Sequence, residues 1–275
     1  MSNARLLNAR LLVVDSGLGG LSVAHAIRQQ LPSVSMTYCA DYAAFPYGNW
    51  EQNDLQVHLM NQISSWIDNC QPDAAVIACN TASTLILPGL RARFDIPFVG
   101  TVPAIKPAAA ITQTKMVSVL ATPGTVARDY TRSLLAEFAN GIEVALIGSP
   151  NLASLAEQWY LDGPSQQLRA AINDELEPCF KQTANGARTD SVVLACTHFP
   201  LLKHVLQELA PWPVHWLDPS NAIARQVEKI LGDKSVVVDR GTFDVLSSQP
   251  GADTRVQTVW QKLSSQPGSG LTGQG

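Results

Sequence analysis

The sequence predicts an α/β protein of two similar lobes, each a mostly parallel sheet flanked by helices, with the active site in the cleft between them. Three observations support this prediction. Short apolar runs alternate with stretches of helical period, this alternation occurs twice in the same order, and polar residues directly follow strands in both copies. Such alternation is typical of βαβ units, whose parallel strands are covered by helices. Ligands of these sheets bind beyond the carboxyl ends of the strands.

Seven runs rich in β-branched and apolar residues have the length of buried strands. They are residues 11–14, 34–38, 74–78, 117–120, 144–147, 191–195 and 214–217. Between several of them, apolar residues recur at helical spacing. Two such stripes are Leu55, Leu59, Ile63 and Trp66, and Leu168, Ile172, Leu176 and Phe180.

Proline-rich stretches divide the chain into its predicted lobes. Residues 97–107 are interpreted as the crossing to the second lobe, and Pro211-Trp212-Pro213 as the return. We therefore expect a first lobe formed by residues 1–101 and 212–263, and a second lobe formed by residues 102–211. Residues 264–275 are rich in Gly, Ser and Gln, which predicts a disordered tail.

The composition is that of a globular protein, with 46% hydrophobic residues, 15% charged residues and a net charge of -4. It excludes a disordered chain and gives no support to a nucleic-acid partner. The first residues lack the apolar core of a signal peptide, and no apolar run is long enough to span a bilayer. We therefore expect a cytoplasmic protein without a membrane partner. Five cysteines without Cys-x-x-Cys spacing predict reduced thiols, not a disulfide framework or a zinc site.

A glycine-rich turn, Asp15-Ser16-Gly17-Leu18-Gly19-Gly20, joins the first predicted strand to a helix. Its glycines allow backbone N–H groups to approach an anion at the helix N-terminus. The third glycine of a dinucleotide-binding turn is missing, so we do not expect NAD. The glycines alone indicate a tight turn, but the carboxylate of Asp15 at a strand end indicates a site. Tyr47 and Gly48 follow the next strand, where an ordinary loop and a ligand contact are both possible.

Two further turns begin with cysteine directly after an apolar strand, Cys79-Asn80-Thr81-Ala82-Ser83 and Cys196-Thr197-His198-Phe199-Pro200. A buried cysteine is usually a small hydrophobic residue, but the repetition favours chemistry. A helix N-terminus is expected to lower a thiol pKa from about 8.5 toward roughly 3.5 to 7.5. His198 could act as a base or an acid, or be a turn residue. A metal held by Cys79, Cys196 and His198 would lack a fourth ligand, so no metal is expected.

Two thiols facing one cleft have a specific chemical use. Inverting a stereocentre that bears a weakly acidic C–H requires a base on one face and an acid on the other. A thiol has a pKa close enough to neutral pH to serve in both roles. Asp15 is expected near one thiol and His198 near the other.

The ordered motifs resemble those of bacterial glutamate racemases, within the cofactor-independent aspartate/glutamate racemases. The resemblance rests on the Asp15, Cys79 and Cys196 turns together with Pro46-Tyr47-Gly48, and extends from about residue 11 to residue 231. It implies an isomerase that uses no cofactor and makes D-glutamate for peptidoglycan, and thus for cell-wall biogenesis and cell shape. It also implies that Cys79 and Cys196 are catalytic, assisted by Asp15, His198 and, by a looser match, Glu157. The residues that it implies for glutamate binding are Asp15, Ser16, Tyr47, Gly48, Asn80, Thr81, Thr125, Thr197 and His198.

Two positions depart from the family pattern. The turn Asp218-Pro219-Ser220 stands where Asp-Ser-Gly is common, and Trp50 stands where a basic residue is usual. Effector and dimer contacts of the family therefore do not carry over directly to this sequence, and both a monomer and a homodimer stay open. Three alternatives stay open: a racemase for aspartate or hydantoins, a decarboxylase that needs only one thiol, and a binding protein without turnover.

Overall fold

A computed structural model describes residues 8–232 and 240–265 of the chain. Its strands are β1 (Arg10–Asp15), β2 (Ser35–Ala40), β3 (Ala74–Ile77), β4 (Phe98–Gly100), β5 (Met116–Ala121), β6 (Glu143–Gly148), β7 (Ser191–Leu194), β8 (His215–Leu217) and β9 (Phe243–Ser247). Its α-helices are α1 (Leu21–Gln30), α2 (Gln52–Cys70), α3 (Asn80–Arg93), α4 (Ile105–Ile111), α5 (Pro123–Val126), α6 (Asp129–Phe138), α7 (Leu152–Leu161), α8 (Gln166–Leu176), α9 (Lys203–Leu209), α10 (Ser220–Leu231) and α11 (Ala252–Ser265).

The strands form two parallel sheets, which confirms the predicted fold class. The five-stranded sheet has the order β4-β3-β1-β2-β9, and the four-stranded sheet has the order β6-β5-β7-β8. All seven predicted strands form. β4 and β9 were not predicted, and each lies at an edge of the five-stranded sheet, where it pairs with one neighbour in parallel.

In both sheets the strand order reverses beside the first strand of that sheet in the chain. β1 lies between β2 and β3, and β5 lies between β6 and β7. The connections on either side of such a point leave in opposite directions, which opens a crevice at the carboxyl ends of the strands. The turns after β1 and β3 border one crevice, and those after β5 and β7 border the other. The predicted glycine-rich turn follows β1, and the two predicted cysteine-containing turns follow β3 and β7.

Alternating side chains of β1 enter two hydrophobic cores on opposite faces of its sheet. Leu11 and Val13 pack with residues of α1, α10 and α11, whereas Leu12 and Val14 pack with residues of α2 and α3. β7 does the same in the second sheet. Burial on both faces is the usual condition of a parallel sheet, and it holds the strand ends in fixed positions.

The chain rejoins the first sheet later than the predicted boundary at residue 212. β8 follows the Pro211-Trp212-Pro213 segment and pairs in parallel with β7, with His215 opposite Ser191. The prolines were interpreted as the return to the first sheet, but a three-residue edge strand of the second sheet follows them. α10 then contributes to the core that contains α1. The division into two lobes otherwise stays a prediction.

The predicted tail begins inside a helix, since α11 extends to Ser265. Residues 266–275 lie outside the described residues. No helix within residues 8–232 and 240–265 has both the length and the apolar character needed to cross a membrane.

Candidate active site

The carboxyl ends of the two sheets meet at one cleft of about 330 Å³, a volume that includes its open mouth. Every predicted site residue except Glu157 lines it. The lining residues are Asp15, Ser16, Phe45, Pro46, Tyr47, Gly48, Cys79, Asn80, Thr81, Thr122, Thr125, Ala153, Ala195, Cys196, Thr197 and His198. The structure therefore brings together residues from four strand ends and from the loop after β2.

Cys79 lies directly before the first residue of α3, as predicted from the sequence. Burial raises the pKa of its thiol well above the ordinary value, and the charge of Asp15 raises it further, while the backbone N–H groups of Ala82 and Thr81 act in the opposite direction. The prediction of a lowered pKa is therefore wrong for Cys79. The helix N-terminus does stabilise the thiolate, but loss of solvent around a buried thiol has the larger effect.

Cys196 occupies the matching position after β7, and its environment differs from that of Cys79. Its Sγ lies 4.0 Å from Nδ1 of His198. Cys79 and Cys196 are each 9% exposed. Both thiols are therefore enclosed but open to the cleft, and one of them has a titratable ring beside it.

His198 is buried, and both of its ring nitrogens face a partner. Nε2 lies 2.9 Å from Oε1 of Glu157, on the side of the ring away from Cys196. Burial alone lowers the pKa of His198, but hydrogen bonds with Cys196 and Glu157 and the charge of Asp15 together raise it well above its ordinary value. The raised pKa favours the protonated ring, in which Nδ1–H points toward Cys196 and Nε2–H toward Glu157. The backbone N–H of Gly19 also lies 3.2 Å from Nε2, and Nε2 can accept this N–H only when the ring is neutral.

Glu157, on α7, contacts the site through His198 and does not line the cleft. Its Oε1 also accepts the backbone N–H of Leu18 at 2.6 Å, and its Oε2 accepts the hydroxyl of Tyr42 at 2.7 Å. Glu157 is therefore placed to position His198, not to touch a substrate.

Asp15 is fully buried at the end of β1, and only one of its oxygens is satisfied. Oδ2 accepts the N–H of Gly20 at 2.5 Å and the hydroxyl of Thr197 at 3.3 Å. Oδ1 has no hydrogen-bond partner. Burial raises the pKa of Asp15, although the charge of His198 opposes this. A buried oxygen without a partner at the wall of a cleft is suited to a ligand that donates, such as an ammonium group.

Asn80 is a second polar side chain of the cleft that the protein does not satisfy. It is buried, and neither its Nδ2 nor its Oδ1 has a partner. An amide donates through one end and accepts through the other, so it can bind a carboxylate or an ammonium group. A polar ligand in the cleft would remove the cost of leaving these atoms unpaired.

Hydroxyl groups connect the two sides of the cleft. Oγ1 of Thr81, at the start of α3, lies 3.2 Å from Oγ1 of Thr125, in α5. Thr125 also lies 3.1 Å from Oγ1 of Thr122, a lining residue that the sequence did not single out. Thr125 came from the family resemblance, and nothing in the sequence marked Thr122 three residues before it.

Asp41 and Tyr42 are neighbours of the cleft that the sequence analysis missed. Asp41 is buried, and its Oδ2 lies 3.0 Å from the hydroxyl of Tyr47 and 2.7 Å from Nε2 of His58. The position of Asp41 after β2 was a usable signal, whereas nothing marked Tyr42.

Within the described part of the chain, no group of three or more His, Cys, Asp or Glu residues is arranged to hold a metal ion.

The fold and the thiol-lined cleft agree with comparisons to known proteins. The sequence model of the Asp/Glu/Hydantoin racemase family matches residues 21–227, and the chain belongs to this family. The protein is therefore an isomerase. The glutamate racemase of Brucella canis is 51% identical over 226 residues, which cover 82% of this chain and 80% of that protein. The glutamate racemase of Agrobacterium fabrum is 50% identical over 222 residues, or 80% of each chain.

Solved structures of similar fold are also glutamate racemases. That of Escherichia coli, in complex with L-glutamate and the activator UDP-MurNAc-Ala, matches with a TM-score of 0.83 and 36% identity, covering 93% of this chain and 95% of that one. The RacE1 isoform of Bacillus anthracis matches with a TM-score of 0.77 and 25% identity, covering 93% of this chain and 94% of that one.

Proposed function

We propose that this protein interconverts L-glutamate and D-glutamate without a cofactor, with Cys79 and Cys196 as the two acid/base residues. The observation that carries the proposal is the placement of the two thiols. One follows a strand of the first sheet, the other follows the equivalent strand of the second sheet, and both line one cleft with equal exposure. Burial is the main reason why the pKa of Cys79 is raised, and the charge of Cys196 adds to it, so the two groups interact.

Racemisation needs one proton-transfer group on each face of Cα. A thiolate on one face removes the Cα proton and becomes a thiol, leaving a carbanion. The thiol on the other face gives its proton to that carbanion and becomes a thiolate. No proton is gained or lost by the enzyme, and the reverse reaction restores the first arrangement. A thiol, with an ordinary pKa of about 8.5, can act in both directions.

The two thiols have different surroundings in the cleft. Nδ1 of His198 lies 4.0 Å from Sγ of Cys196, and the pKa of the ring is raised, so a thiolate formed there during the reaction gains a hydrogen bond and an opposite charge from the protonated ring. Cys79 has the carboxylate of Asp15 nearby and a raised pKa, mainly from burial, and is held as the thiol.

The polar groups of the cleft suit an amino acid with two carboxylates. The unpaired Oδ1 of Asp15 can accept from the ammonium group. The unpaired amide of Asn80 and the hydroxyls of Ser16, Thr81 and Thr125 can donate to the carboxylates. Further contacts of the proposed substrate are with Tyr47, Gly48, Thr197 and His198. Donors aimed at the α-carboxylate also stabilise the negative charge that builds up when the Cα proton leaves.

The biological setting follows from the family. Glutamate racemases supply D-glutamate for peptidoglycan, and we propose the same role in cell-wall biogenesis and cell shape for this enzyme. The E. coli structure contains an activator. Whether this enzyme needs one is tested by adding glutamate alone. A cytoplasmic location and a homodimer are part of the proposal, and light scattering after gel filtration measures the second.

The test is a time course of circular dichroism with L-glutamate, and separately D-glutamate, as the sole addition. Both should converge on zero ellipticity, and proton NMR in D₂O should show the Cα–H replaced by deuterium. Cys79→Ser and Cys196→Ser should each lose at least 1,000-fold, roughly as expected when an acid/base group is removed. Cys70→Ser, at a partly exposed thiol outside the cleft, is the matched control and should keep the native rate.

Two results would overturn the proposal in different ways. If the double variant Cys79→Ser, Cys196→Ser racemises glutamate at the native rate, the two-thiol mechanism is wrong. If glutamate is not converted while L-aspartate or a hydantoin is, the substrate is wrong but the mechanism stands. Glutamate binding in calorimetry without any exchange in D₂O would indicate a binding protein.

A further inference from the structure

Tyr42 is joined to the site through the carboxylate of Glu157, which contacts residues that follow strands of both sheets. It lies in a short 3₁₀ turn after β2 of the first sheet, and its hydroxyl donates to Oε2 of Glu157, on α7, at 2.7 Å. The residues are 115 apart in the chain. Glu157 thus accepts two donors that follow strands of the five-stranded sheet, Tyr42 and the N–H of Leu18, and faces Nε2 of His198, which follows a strand of the four-stranded sheet.

These contacts form a continuous chain of polar groups that ends at Cys196. The distances are 2.7 Å from Tyr42 to Glu157, 2.9 Å from Glu157 to His198, and 4.0 Å from His198 to Cys196. Glu157 and His198 are buried. Buried networks of this kind hold their members in one orientation when each polar atom has a partner.

The rings around Tyr42 restrict its movement. Its ring lies 6.1 Å from that of Phe45, and the ring of Phe45 lies 5.4 Å from that of His198. The guanidinium of Arg255 lies over the Tyr42 ring at 5.6 Å. The hydroxyl therefore has a fixed direction, and Tyr42 does not line the cleft.

We propose that Tyr42 is a positioning residue, whose hydroxyl holds Oε2 of Glu157 so that Oε1 accepts Nε2–H of His198 and Nδ1–H faces Cys196. Without this donor the carboxylate can rotate. Its Oε1 then no longer faces both the N–H of Leu18 and Nε2 of His198. The imidazole then loses the partner that sets its orientation. The inference rests on the proposed function, because it is Cys196 that needs His198 in place.

The test compares Tyr42→Phe with Tyr160→Phe. Tyr160 lies one turn further along α7 from Glu157 and donates its hydroxyl to the carbonyl of Leu201 at 3.0 Å, so both variants lose one hydroxyl and one hydrogen bond. Tyr42→Phe should lower kcat about tenfold with KM unchanged, since a hydrogen bond to a charged group is lost but no substrate contact is. Tyr160→Phe should keep the native kcat. Equal kcat values for the two variants would overturn the inference.

A double-mutant cycle tests whether Tyr42 acts through Glu157. In a Glu157→Leu background the hydroxyl has no acceptor on this side chain, so Tyr42→Phe should have no further effect on kcat. A full tenfold effect in that background would show that Tyr42 acts in another way, and the inference would be wrong.

A readout without substrate separates this inference from the proposed function. The ¹⁵N NMR signals of the His198 ring should change in Tyr42→Phe and stay unchanged in Tyr160→Phe. If the wild-type enzyme does not convert glutamate, the proposed function fails, whereas unchanged His198 signals in Tyr42→Phe refute the positioning role whatever the substrate.

Discussion

Nε2 of His198 lies 2.9 Å from Oε1 of Glu157, and the two residues follow different strands of the four-stranded sheet, β7 and β6. The pair is buried, so the charge on His198 depends on its partners more than on solvent. Because the pKa of His198 is raised above its ordinary value of 6.5, the pair couples the stability of the fold to pH.

Replacing His198 by glutamine should remove a stabilisation that is present at low pH. Between about pH 6.5 and the raised pKa, the folded protein holds a proton that the unfolded chain releases. The contribution is therefore complete below about pH 6.5 and is lost as the pH rises through the folded pKa. The difference in unfolding free energy between wild type and His198→Gln, measured with urea, should be largest at pH 6 and narrow toward pH 9.

His25 provides a control of opposite sign. Burial lowers its pKa, so the unfolded chain binds the extra proton and the contribution grows as the pH rises. The difference between wild type and His25→Gln should widen between pH 5 and pH 7. A His198→Gln difference that is independent of pH would contradict the charge assigned to this residue.

A methyl group at Gly19 should damage the site, although the same change at Gly124 should not. A Cβ at Gly19 would collide with Nδ1 of His198 and lie 2.7 Å from Oδ2 of Asp15. A Cβ at Gly124 would lie 3.6 Å from the carbonyl oxygen of Gly48, an ordinary contact. We expect Gly19→Ala to lower kcat/KM at least 100-fold, roughly the effect of losing one interaction in the site. Gly124→Ala should stay within about threefold of wild type, as expected for a neutral substitution. Equal activities for the two would mean that His198 and Asp15 can move away.

Much of the fold was predictable, because buried parallel strands are recognisable as apolar runs. The two strands that were missed have weaker signals. β4 has only three residues, and β9, Phe-Asp-Val-Leu-Ser, lies at a sheet edge and keeps alternate residues exposed. The α8 stripe was predicted to reach Phe180, but the α-helix ends at Leu176, where a 3₁₀ turn with Pro178 begins.

The site was predictable where it depends on strand ends and unpredictable where it depends on contacts between elements of the two sheets. Asp15, Cys79 and Cys196 follow strands, so their common location could be inferred from the alternation alone. Glu157 was predicted only from the family resemblance. Tyr42 was predicted neither from the strand pattern nor from the resemblance, because its contact with Glu157 joins residues 115 apart in the chain. The pKa of Cys79 was misjudged because the degree of burial cannot be read from the position of a helix N-terminus.

Cys70 should be the most reactive thiol outside the cleft at neutral pH. A hydrogen bond from Cys39 lowers the pKa of Cys70 to about 7, helped by Arg10 and opposed by burial. Labelling with iodoacetamide, followed by mass spectrometry, should be half-maximal near pH 7 at Cys70, whereas the buried Cys39 and Cys179 stay protected. In Cys39→Ala the donor is missing and the midpoint should move upward. A midpoint at Cys70 that is the same with and without Cys39 would disprove the pairing.

The hydroxyls of Thr81 and Thr125 should stabilise the closed cleft together, not independently. Their Oγ1 atoms are 3.2 Å apart across the cleft, and each can be removed by a Thr→Val change that keeps the shape of the side chain. Each single variant should lose about 1 kcal/mol of unfolding free energy, and Thr125→Val should lose more because its hydroxyl also contacts Thr122. The double variant should lose less than the sum, since the bond between them can be broken only once. Thr258→Val, which removes an exposed hydroxyl bonded within α11, should be additive with Thr81→Val. If the losses of unfolding free energy in Thr81→Val and Thr125→Val are additive too, the two hydroxyls do not interact. The contact between the two sides of the cleft is then stabilised by Glu157 and its partners alone.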